Sequence, residues 1–592
     1  MNSANSDSAT TTGYLDQLRI RLAGRSALLQ LSIFGAVAGL LVGILMLLFR
    51  GAVEGIQSLI LPGGDPENFE GLPVDARFML PLAGALLLGL IYLLVKPKRR
   101  QGGVVHVLER LAYHQGHMST RNAWMEFIGS GIALISGQSV GREGPSVHLG
   151  AAGTSLLGRQ LGLPNNTLRV LIGCGVAAAI GAAFNTPLAG VIFAMEVVLM
   201  EYTIAGFAPI ILAAVSSTAV THLVYGSSPA FNVPPILPVP LIELPILFII
   251  GLMIGGLAAL FSASSITLAA RIRQWPLLLR FALAGLVTAC LAIFVPAIMG
   301  VGYDTVNDAM TGELTLSLLL IIVLAKCVAT VFAIGCNLPG GLIGPTLVIG
   351  AVVGAAIAAI CSWLFPEYLW QPAVFALVGM AAMMAATLQA PLAALMALLE
   401  LSGNTTLIFP GMLTVITAVL VSREVFHKDS IILELLRARG LDYRNDPVAQ
   451  SLRRIGVAGV MEAAVQQAPA SISVGDARRL LERSPKWLLL ESNETRRYLL
   501  AAADLARYLA ERDERRAKSD DTEDAQSEEK QVDLVKLPGR RIECLPVTLQ
   551  ANLQEALDLV TRQEAEGVYV QRRGGRLFGV LTRESIEQAY SR

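Results

Sequence analysis

Charged residues are scarce in this 592-residue chain: only 16% are Asp, Glu, Lys or Arg, whereas 54% are hydrophobic. A soluble protein of this length carries more charge. The 46 basic and 46 acidic residues cancel, which argues against nucleic acid as a partner. Several apolar runs approach or exceed membrane-spanning length. We therefore predict an integral, multi-pass membrane protein whose surroundings are the lipid bilayer.

Cysteine and histidine are also rare, with six residues of each. The cysteines have no C-x-x-C spacing and lie mostly in apolar runs, which predicts packing roles and no metal site. There is no H-E-x-x-H motif, and so few histidines offer no identifiable Ser/His/Asp set. We therefore do not expect an enzyme. The first 13 residues are polar and rich in Ser and Thr, so no signal peptide is predicted.

One polar stretch interrupts the apolar sequence, Gly141-Arg142-Glu143-Gly144-Pro145-Ser146. Proline followed by serine suits the first turn of a helix. Ionisable residues inside a membrane are costly and indicate a functional site. A helix N-terminus offers unpaired N–H groups and a positive dipole end, which together form an anion site. Glu143 is itself an anion and is predicted to occupy that site when no other anion does.

The same pattern recurs later in the chain as Gly340-Gly341-Leu342-Ile343-Gly344-Pro345-Thr346. A second pair of motifs, Pro-Leu-Ala, begins at Pro187 and Pro391, and a glutamate follows nine positions later in each. The offsets between the copies are 200 and 204 residues. Matched motifs in the same order indicate a duplicated unit, and duplicated membrane halves place their site between them.

Composition divides the chain into parts. We predict a lead-in at 1–26, a membrane domain at 27–440 with halves at about 27–226 and 241–425, a linker at 441–455, and a soluble part at 456–592. The soluble part contains two similar units separated by a charged stretch at about 511–535, which is predicted as a disordered linker or a long loop. Basic residues flank both free ends of the first helical hairpin, which places the N-terminus in the cytoplasm.

A few other charges lie within the apolar region, namely those of Glu126, Glu196, Lys326 and Glu400. For these four we favour a structural role, hydrogen-bonded at helix ends or between helices. Glu143 is the exception, because it lies at the predicted anion site.

These motifs resemble the signatures of the CLC chloride channels and proton–chloride exchangers. The stretches at 141–145 and 340–345 are similar to two of them, and Phe184 to Gly190 with Glu196 is similar to a third. The C-terminal part resembles a pair of CBS domains. The resemblance implies an all-α polytopic membrane protein with inverted-repeat halves and broken helices, plus a cytoplasmic α/β CBS-like pair. It also implies a homodimer with one pore per subunit, in the bacterial inner membrane.

The resemblance further implies chloride as the substrate and Glu143 as the gating glutamate, released from the pore by protonation. The implied chloride-binding residues come from both halves and are Arg142, Glu143, Gly144, Gly341, Leu342, Ile343 and Gly344.

Three positions depart from the family pattern. Val104 stands where the family has a serine that faces chloride, and Lys428 is aligned with a chloride-facing tyrosine. Val197 falls at the internal glutamate that relays protons in many exchangers, and Glu196 points about 100° away from it. These changes favour channel-like permeation gated by voltage or pH. Proton-coupled antiport is the alternative, and a cation transporter with CBS regulation is a more distant one.

The CBS-like units each contain half of the family's nucleotide pattern. Asp504 is present in the first unit and Thr582 in the second, whereas Ala501 and Ser585 replace their partners. No cofactor is expected in the membrane part. An adenine nucleotide in the CBS-like pair and a dimerising domain without ligand both remain open.

Overall fold

The computed structural model describes residues 14–24, 27–227, 231–441, 443, 447–491, 497–518, 531–572 and 576–591. It divides into two compact units. One is the membrane unit, which covers Leu29–Gln160 and the described residues from Leu168 to Tyr443. The other is the C-terminal unit, which holds the residues from Pro447 onward together with the N-terminal helix and the segment Leu161–Thr167.

Helices make up the chain as far as residue 441. They are α1 (Tyr14–Ala23), α2 (Leu28–Ile60), α3 (Val74–Leu93), α4 (Gly103–Tyr113), α5 (Thr120–Ile135), α6 (Glu143–Gln160), α7 (Asn165–Phe184), α8 (Pro187–Phe193), α9 (Ile204–Tyr225), α10 (Leu244–Arg271), α11 (Leu277–Phe294), α12 (Tyr303–Thr311), α13 (Leu316–Gly335), α14 (Ile343–Leu364), α15 (Pro372–Leu388), α16 (Pro391–Ser402), α17 (Ile408–Leu420) and α18 (Ile431–Ala438).

Nine of the helices in the described part of the chain are long and apolar enough to cross a membrane. They include α2 and α3, the two helices of the hairpin predicted at the start of the chain. Others are shorter, and the predicted breaks are real: α8 and α16 both begin with proline at their first position. Proline suits that position because its missing N–H has no helical acceptor there.

The duplication predicted from the motifs is visible in the packing. Gly150 of α6 meets the backbone of Gly175 in α7, and Gly350 of α14 meets that of Gly379 in α15. A Cβ at any of these four positions would collide with the neighbouring helix. Small residues allow membrane helices to approach closely. Matched glycine contacts 200 and 204 positions apart show that both halves use the same helix pair.

The C-terminal unit consists of two similar α/β repeats, as predicted. Its elements are α19 (Pro447–Arg453), β1 (Val465–Ala468), β2 (Ser471–Ser473), α20 (Val474–Glu482), β3 (Trp487–Leu490), β4 (Arg497–Ala501), α21 (Ala502–Lys518), β5 (Gln531–Asp533), β6 (Arg541–Thr548), α22 (Leu553–Arg562), β7 (Gly567–Gln571), β8 (Leu577–Thr582) and α23 (Arg583–Ser591).

One mixed sheet joins the two repeats, in the order β1-β3-β4-β6-β7-β8. In the first repeat, β1 pairs with β3 in parallel, and β3 pairs with β4 antiparallel. In the second repeat, β6 pairs with β7 in parallel, and β7 pairs with β8 antiparallel. The junction is the antiparallel pair β4 and β6. The remaining strands, β2 and β5, form a separate two-stranded sheet.

The prediction of a disordered linker over 511–535 is wrong at both ends. Residues 511–518 continue helix α21, and 531–533 form strand β5. Arginine and glutamate make up most of 511–518, and they are good helix formers despite their charge. The acidic centre of the predicted linker, 519–530, lies outside the described residues.

Candidate functional site

The two repeated glycine motifs pair with each other. The amide of Gly141 donates to the carbonyl of Gly341 at 2.7 Å, and the amide of Gly341 donates back at 2.6 Å. They form an isolated antiparallel bridge. A Cβ on Gly341 would lie 2.6 Å from the amide nitrogen of Gly144. Glycine is therefore required here, because the start of α6 and the loop before α14 are in direct contact.

The carboxyl group of Glu143 lies inside this junction. Its side chain is fully buried and lies beside its own amide and that of Gly344, while its Oε2 has no hydrogen-bond partner among the described residues. A Cβ on Gly344 would lie 2.9 Å from Oε1. The hydroxyl of Tyr303 also donates to Oε1, at 3.3 Å. The carboxylate thus occupies backbone donors at the starts of α6 and α14, where positive dipole ends favour an anion.

Cavities lie on the two sides of Glu143. The larger, of about 660 Å³, is lined by five of the predicted site residues, namely Val104, Gly144, Gly341, Leu342 and Ile343. The smaller, of about 430 Å³, is lined by Arg142, Phe184 and Tyr303. The residue before Glu143 therefore borders one cavity and the residue after it borders the other. The structure brings residues from both predicted halves together around one carboxylate.

Charge is distributed unevenly in the larger cavity. Four arginines line it, which are Arg100, Arg273, Arg280 and Arg439. Among the described residues in its wall, Glu126 is the one acid. A cleft lined mostly by one sign of charge concentrates the opposite ion. The larger cavity is thus electrostatically suited to anions.

The side chain of Arg142 is engaged away from the larger cavity. Its guanidinium group lines the smaller cavity, donates to Glu54 at 3.2 Å and lies 5.2 Å from the centre of the Tyr303 ring. This charge is therefore already paired on the side away from the larger cavity.

Lys428 does not lie where the sequence alignment predicted. Among the described residues, the larger cavity is lined from α18 by Ile432 and Leu435 instead. Lys428 precedes α18, and its backbone amide donates to the carbonyl of Ser422 at 3.0 Å. The reason is the helix boundary: α18 begins at Ile431, so apolar residues of its first turns face the cavity.

The structural roles predicted for three membrane charges are confirmed. Glu196 accepts from the amides of Leu392 and Ala393 at 3.2 and 2.7 Å. Glu400 accepts reciprocally from Leu188 and Ala189 at 2.9 and 2.7 Å. Each glutamate caps the first turn of the broken helix in the other half. The buried ammonium of Lys326 donates to two backbone carbonyls, at 2.9 and 3.0 Å.

Val197 is buried at 4% exposure in the apolar core, which agrees with its lack of charge.

Tyr303 is a site residue that the sequence did not reveal. It begins α12 directly after Gly302, whose φ of 87° is left-handed. The only signal in the sequence is the Gly300-Val301-Gly302 run before it, which indicates a turn and gives no information about an aromatic contact to Glu143.

Asp504 and Thr582 are not brought together. Asp504 lies in the first turn of α21, after β4. Thr582 ends β8, and β6 and β7 lie between β4 and β8 in the sheet. The Oγ1 of Thr582 accepts from the amide of Ser585 at 3.2 Å, which is a helix-capping contact. Nucleotide binding by this unit stays a prediction.

Much of this chain is similar in sequence to known proteins. Residues 84–423 match the family model described as voltage gated chloride channel. A putative chloride channel protein ClcB-like of Ralstonia nicotianae is 33% identical over 58% of this chain and 82% of its own length. The H(+)/Cl(-) exchange transporter ClcA of Salmonella typhimurium is 28% identical over 69% of this chain and 88% of its own.

Solved structures give the same picture of the fold. A slow cyanobacterial Cl-/H+ antiporter aligns with a TM-score of 0.61 at 24% identity, over 70% of this chain and 99% of its own. A eukaryotic CLC transporter aligns with a TM-score of 0.58 at 20% identity, over 94% and 98%. At this level of identity the likeness concerns the fold.

Proposed function

Because the chain belongs to the family of voltage gated chloride channels, we propose that it moves chloride across a membrane in exchange for protons. Glu143 is the group on which the two ions compete. The observation that carries this proposal is the position of its carboxylate on backbone donors from both halves, between two cavities.

The cycle follows from elementary electrostatics. The ionised carboxylate occupies the donors at the starts of α6 and α14 and blocks the path between the cavities. Chloride from the arginine-lined cavity competes for the same amides, since backbone N–H groups bind an anion whatever the side chain. A proton on Glu143 removes the charge that holds it there. The neutral side chain then leaves, and chloride takes its place.

This proposal also covers the altered residues around the path. Val104 offers no hydroxyl, yet the amides around Gly144 and Gly344 still supply donors. The exchange transporter of Salmonella typhimurium, which matches over 69% of this chain, supports coupling to protons.

Channel-like permeation is the second candidate. Val197 cannot carry a proton, and the Ralstonia nicotianae relative is described as a putative chloride channel. Under this alternative Glu143 gates the path without delivering protons across the membrane.

We also propose where the chain lies in the cell and how it assembles. The N-terminus and the C-terminal unit lie in the cytoplasm of a bacterial cell, with the membrane unit in its inner membrane. The chain acts as a homodimer in which each subunit has its own path.

Reconstitution into liposomes tests the proposal. We expect a chloride gradient alone to drive protons the opposite way, measured with chloride and pH electrodes together. Chloride movement without proton movement would establish the channel-like alternative. A reversal potential that follows potassium or sodium and ignores chloride would overturn both.

A further inference from the structure

Glu126 is an acid in an otherwise basic cavity. It lies on α5 with 3% of its surface exposed, and it lines the larger cavity with Gly103, Val104 and Gly341. The same wall therefore contains this carboxylate and a residue that touches Glu143, since a Cβ on Gly341 would lie 2.8 Å from Oε2 of Glu143.

The carboxylate of Glu126 is incompletely satisfied. It lies against the Cα of Gly102 and is hydrogen-bonded to the amide of Gly103, at the start of α4. Its Oε1 has no hydrogen-bond partner in the part of the chain that the structure describes. No lysine or arginine of that part lies within ion-pair distance of it. By contrast, Glu196 and Glu400 each accept from two amides.

Glu126 therefore repeats at α4 what Glu143 does at α6 and α14. Each is a buried carboxylate that occupies the unpaired amides of a helix start beside the anion path. The charged form of a buried carboxylate without a cation is poorly compensated, so a proton is a favourable partner for it.

We propose that Glu126 is the proton-transfer residue on the side of the larger cavity, in place of the carboxylate missing at Val197. This step rests on the proposed exchange of chloride for protons. A hydronium ion in the cavity gives its proton to the Glu126 carboxylate and becomes water. The resulting carboxylic acid passes the proton through cavity water to the Glu143 carboxylate and becomes ionised again. Glu143 then releases that proton into the smaller cavity.

The neighbours of Glu126 leave it free for this role. From α3, Tyr92 faces it, and its hydroxyl donates to the carbonyl of Met125 at 3.4 Å. In the turn at Pro97–Arg99, the basic side chains are those of Lys98 and Arg99. Arg100, which follows them, donates to the carbonyl of Val95 at 2.7 Å.

The titratable side chains of α4 and α6 have neighbours other than Glu126. His106 and His148 are joined by a 2.8 Å hydrogen bond, and Arg110 donates to His106 at 3.0 Å. Glu109 lies 4.0 Å from Arg439. The carboxyl group of Glu143 is the other acid of α6 in this region, and it is the proton acceptor of the step.

The test compares Glu126→Gln with Glu243→Gln in liposomes, with chloride and proton fluxes read together. Glu243 is a matched control, because it is 3% exposed and its Oε2 lacks a partner among the described residues. It lines neither cavity. We expect Glu126→Gln to keep chloride flux and lose at least tenfold in proton flux, whereas Glu243→Gln keeps the wild-type ratio.

An unchanged ratio of protons to chloride in Glu126→Gln would overturn the role of Glu126 and leave exchange intact. A wild-type chain that moves no protons would overturn exchange itself, and the role of Glu126 with it.

If Glu126→Gln does not assemble, the wild-type chain answers the question by carbodiimide labelling at acid pH. Loss of proton flux with the label mapped to Glu126 supports the proposal, and an unlabelled Glu126 overturns it.

Discussion

Two kinds of donor surround the carboxylate of Glu143, namely backbone amides and one hydroxyl group. Their contributions to gating can be tested separately. Backbone amides bind it in both halves, and a single hydroxyl, that of Tyr303, binds it from α12. The amides remain when a side chain changes, whereas the hydroxyl can be removed without disturbing the backbone. Single substitutions therefore distinguish charge, hydroxyl and fold.

Replacing Glu143 by glutamine tests the charge. The dipole of a helix N-terminus stabilises a carboxylate by roughly 0.3–2 kcal/mol, and the neutral amide loses this term. We expect Glu143→Gln to conduct chloride with a flux nearly independent of external pH and without proton coupling. Chloride flux at a series of pH values measures this. Glu196→Gln is the control and should keep the wild-type pH dependence. The opposite pattern in the two variants would assign the gate to Glu196.

Replacing Tyr303 by phenylalanine tests the hydroxyl. The ring contacts with Arg142 and Phe231 are kept, and only the 3.3 Å hydrogen bond to Glu143 is lost. A hydrogen bond of this kind contributes about 0.5–1.5 kcal/mol, so the carboxylate should leave its site more easily. We expect chloride flux at neutral pH to rise by up to about tenfold. A flux that falls would mean that the hydroxyl serves the anion path and does not hold the gate.

At the scale of helices, the broken segments are held by each other's acids. Glu196 caps α16 and Glu400 caps α8, so each half completes a helix start in the other. The reciprocity is that of an approximate twofold axis between the halves. The two caps therefore hold the halves together through hydrogen bonds to carboxylates as well as through packing.

We expect Glu196→Gln and Glu400→Gln to destabilise the membrane unit to a similar degree. Hydrogen bonds to a charged group contribute about 1.5–3 kcal/mol, and a neutral amide retains part of that. Thermal unfolding in detergent measures the loss, and the double variant should show approximately the sum of the two losses. A large effect from one variant and none from the other would contradict the symmetry of the two caps.

Many features of the helices could be predicted from the sequence, because their signals are local. The Gly-Pro pairs at 144–145 and 344–345 are local signals, and α6 and α14 begin beside them as predicted. The nine-residue spacing from proline to glutamate is also local, and it indicated the duplication. The exchange of Glu196 and Glu400 between halves is not local, because it depends on the twofold axis. The contact of Glu126 with Gly103 is not local either, because nothing near Glu126 in the sequence indicates that α5 brings it to the start of α4.

On the scale of the whole molecule, the path and the C-terminal unit are connected through α6. This helix begins at Glu143 and runs for 18 residues, which is about 27 Å. The segment that follows it, Leu161–Thr167, belongs to the C-terminal unit. The amide of Asn165 donates to Gln550 at 2.8 Å, and its side chain donates to Glu555 at 2.9 and 3.1 Å.

Glu555 makes this connection sensitive to pH. Burial raises the pKa of Glu555, while the hydrogen bonds from Asn165 and Asn552 oppose the rise. A raised pKa means that the folded state holds the proton more firmly, so its contribution to stability is lost as pH rises through the shifted value. We expect Glu555→Gln to protect the amides of α22 better than wild type at neutral pH, with no difference near pH 4. Hydrogen exchange measures this, and equal protection at neutral pH would contradict it.

Deletion of residues 441–592 should leave chloride flux measurable, because all residues predicted for the path lie before Gly440. A folded deletion variant without flux would show that the C-terminal unit is needed for permeation. We expect its rate to differ from that of the full chain, since Leu161–Thr167 loses its partners.

The variant Asn165→Ala isolates that last effect. It removes two side-chain hydrogen bonds to Glu555 and leaves the backbone bond to Gln550 in place. If Leu161–Thr167 restrains α6, and with it Glu143, loss of this restraint should raise chloride flux in Asn165→Ala and in the deletion variant alike. Together the two lost bonds contribute about 1–3 kcal/mol, which limits the gain to roughly a hundredfold. Gln554→Ala is the matched control: Gln554 is partly exposed on the same helix as Glu555, and within the described part of the chain its side chain bonds to Asp558 at 2.8 Å. A flux that changes in the deletion but stays at the wild-type value in Asn165→Ala would show that the C-terminal unit acts on the path by a route other than α6.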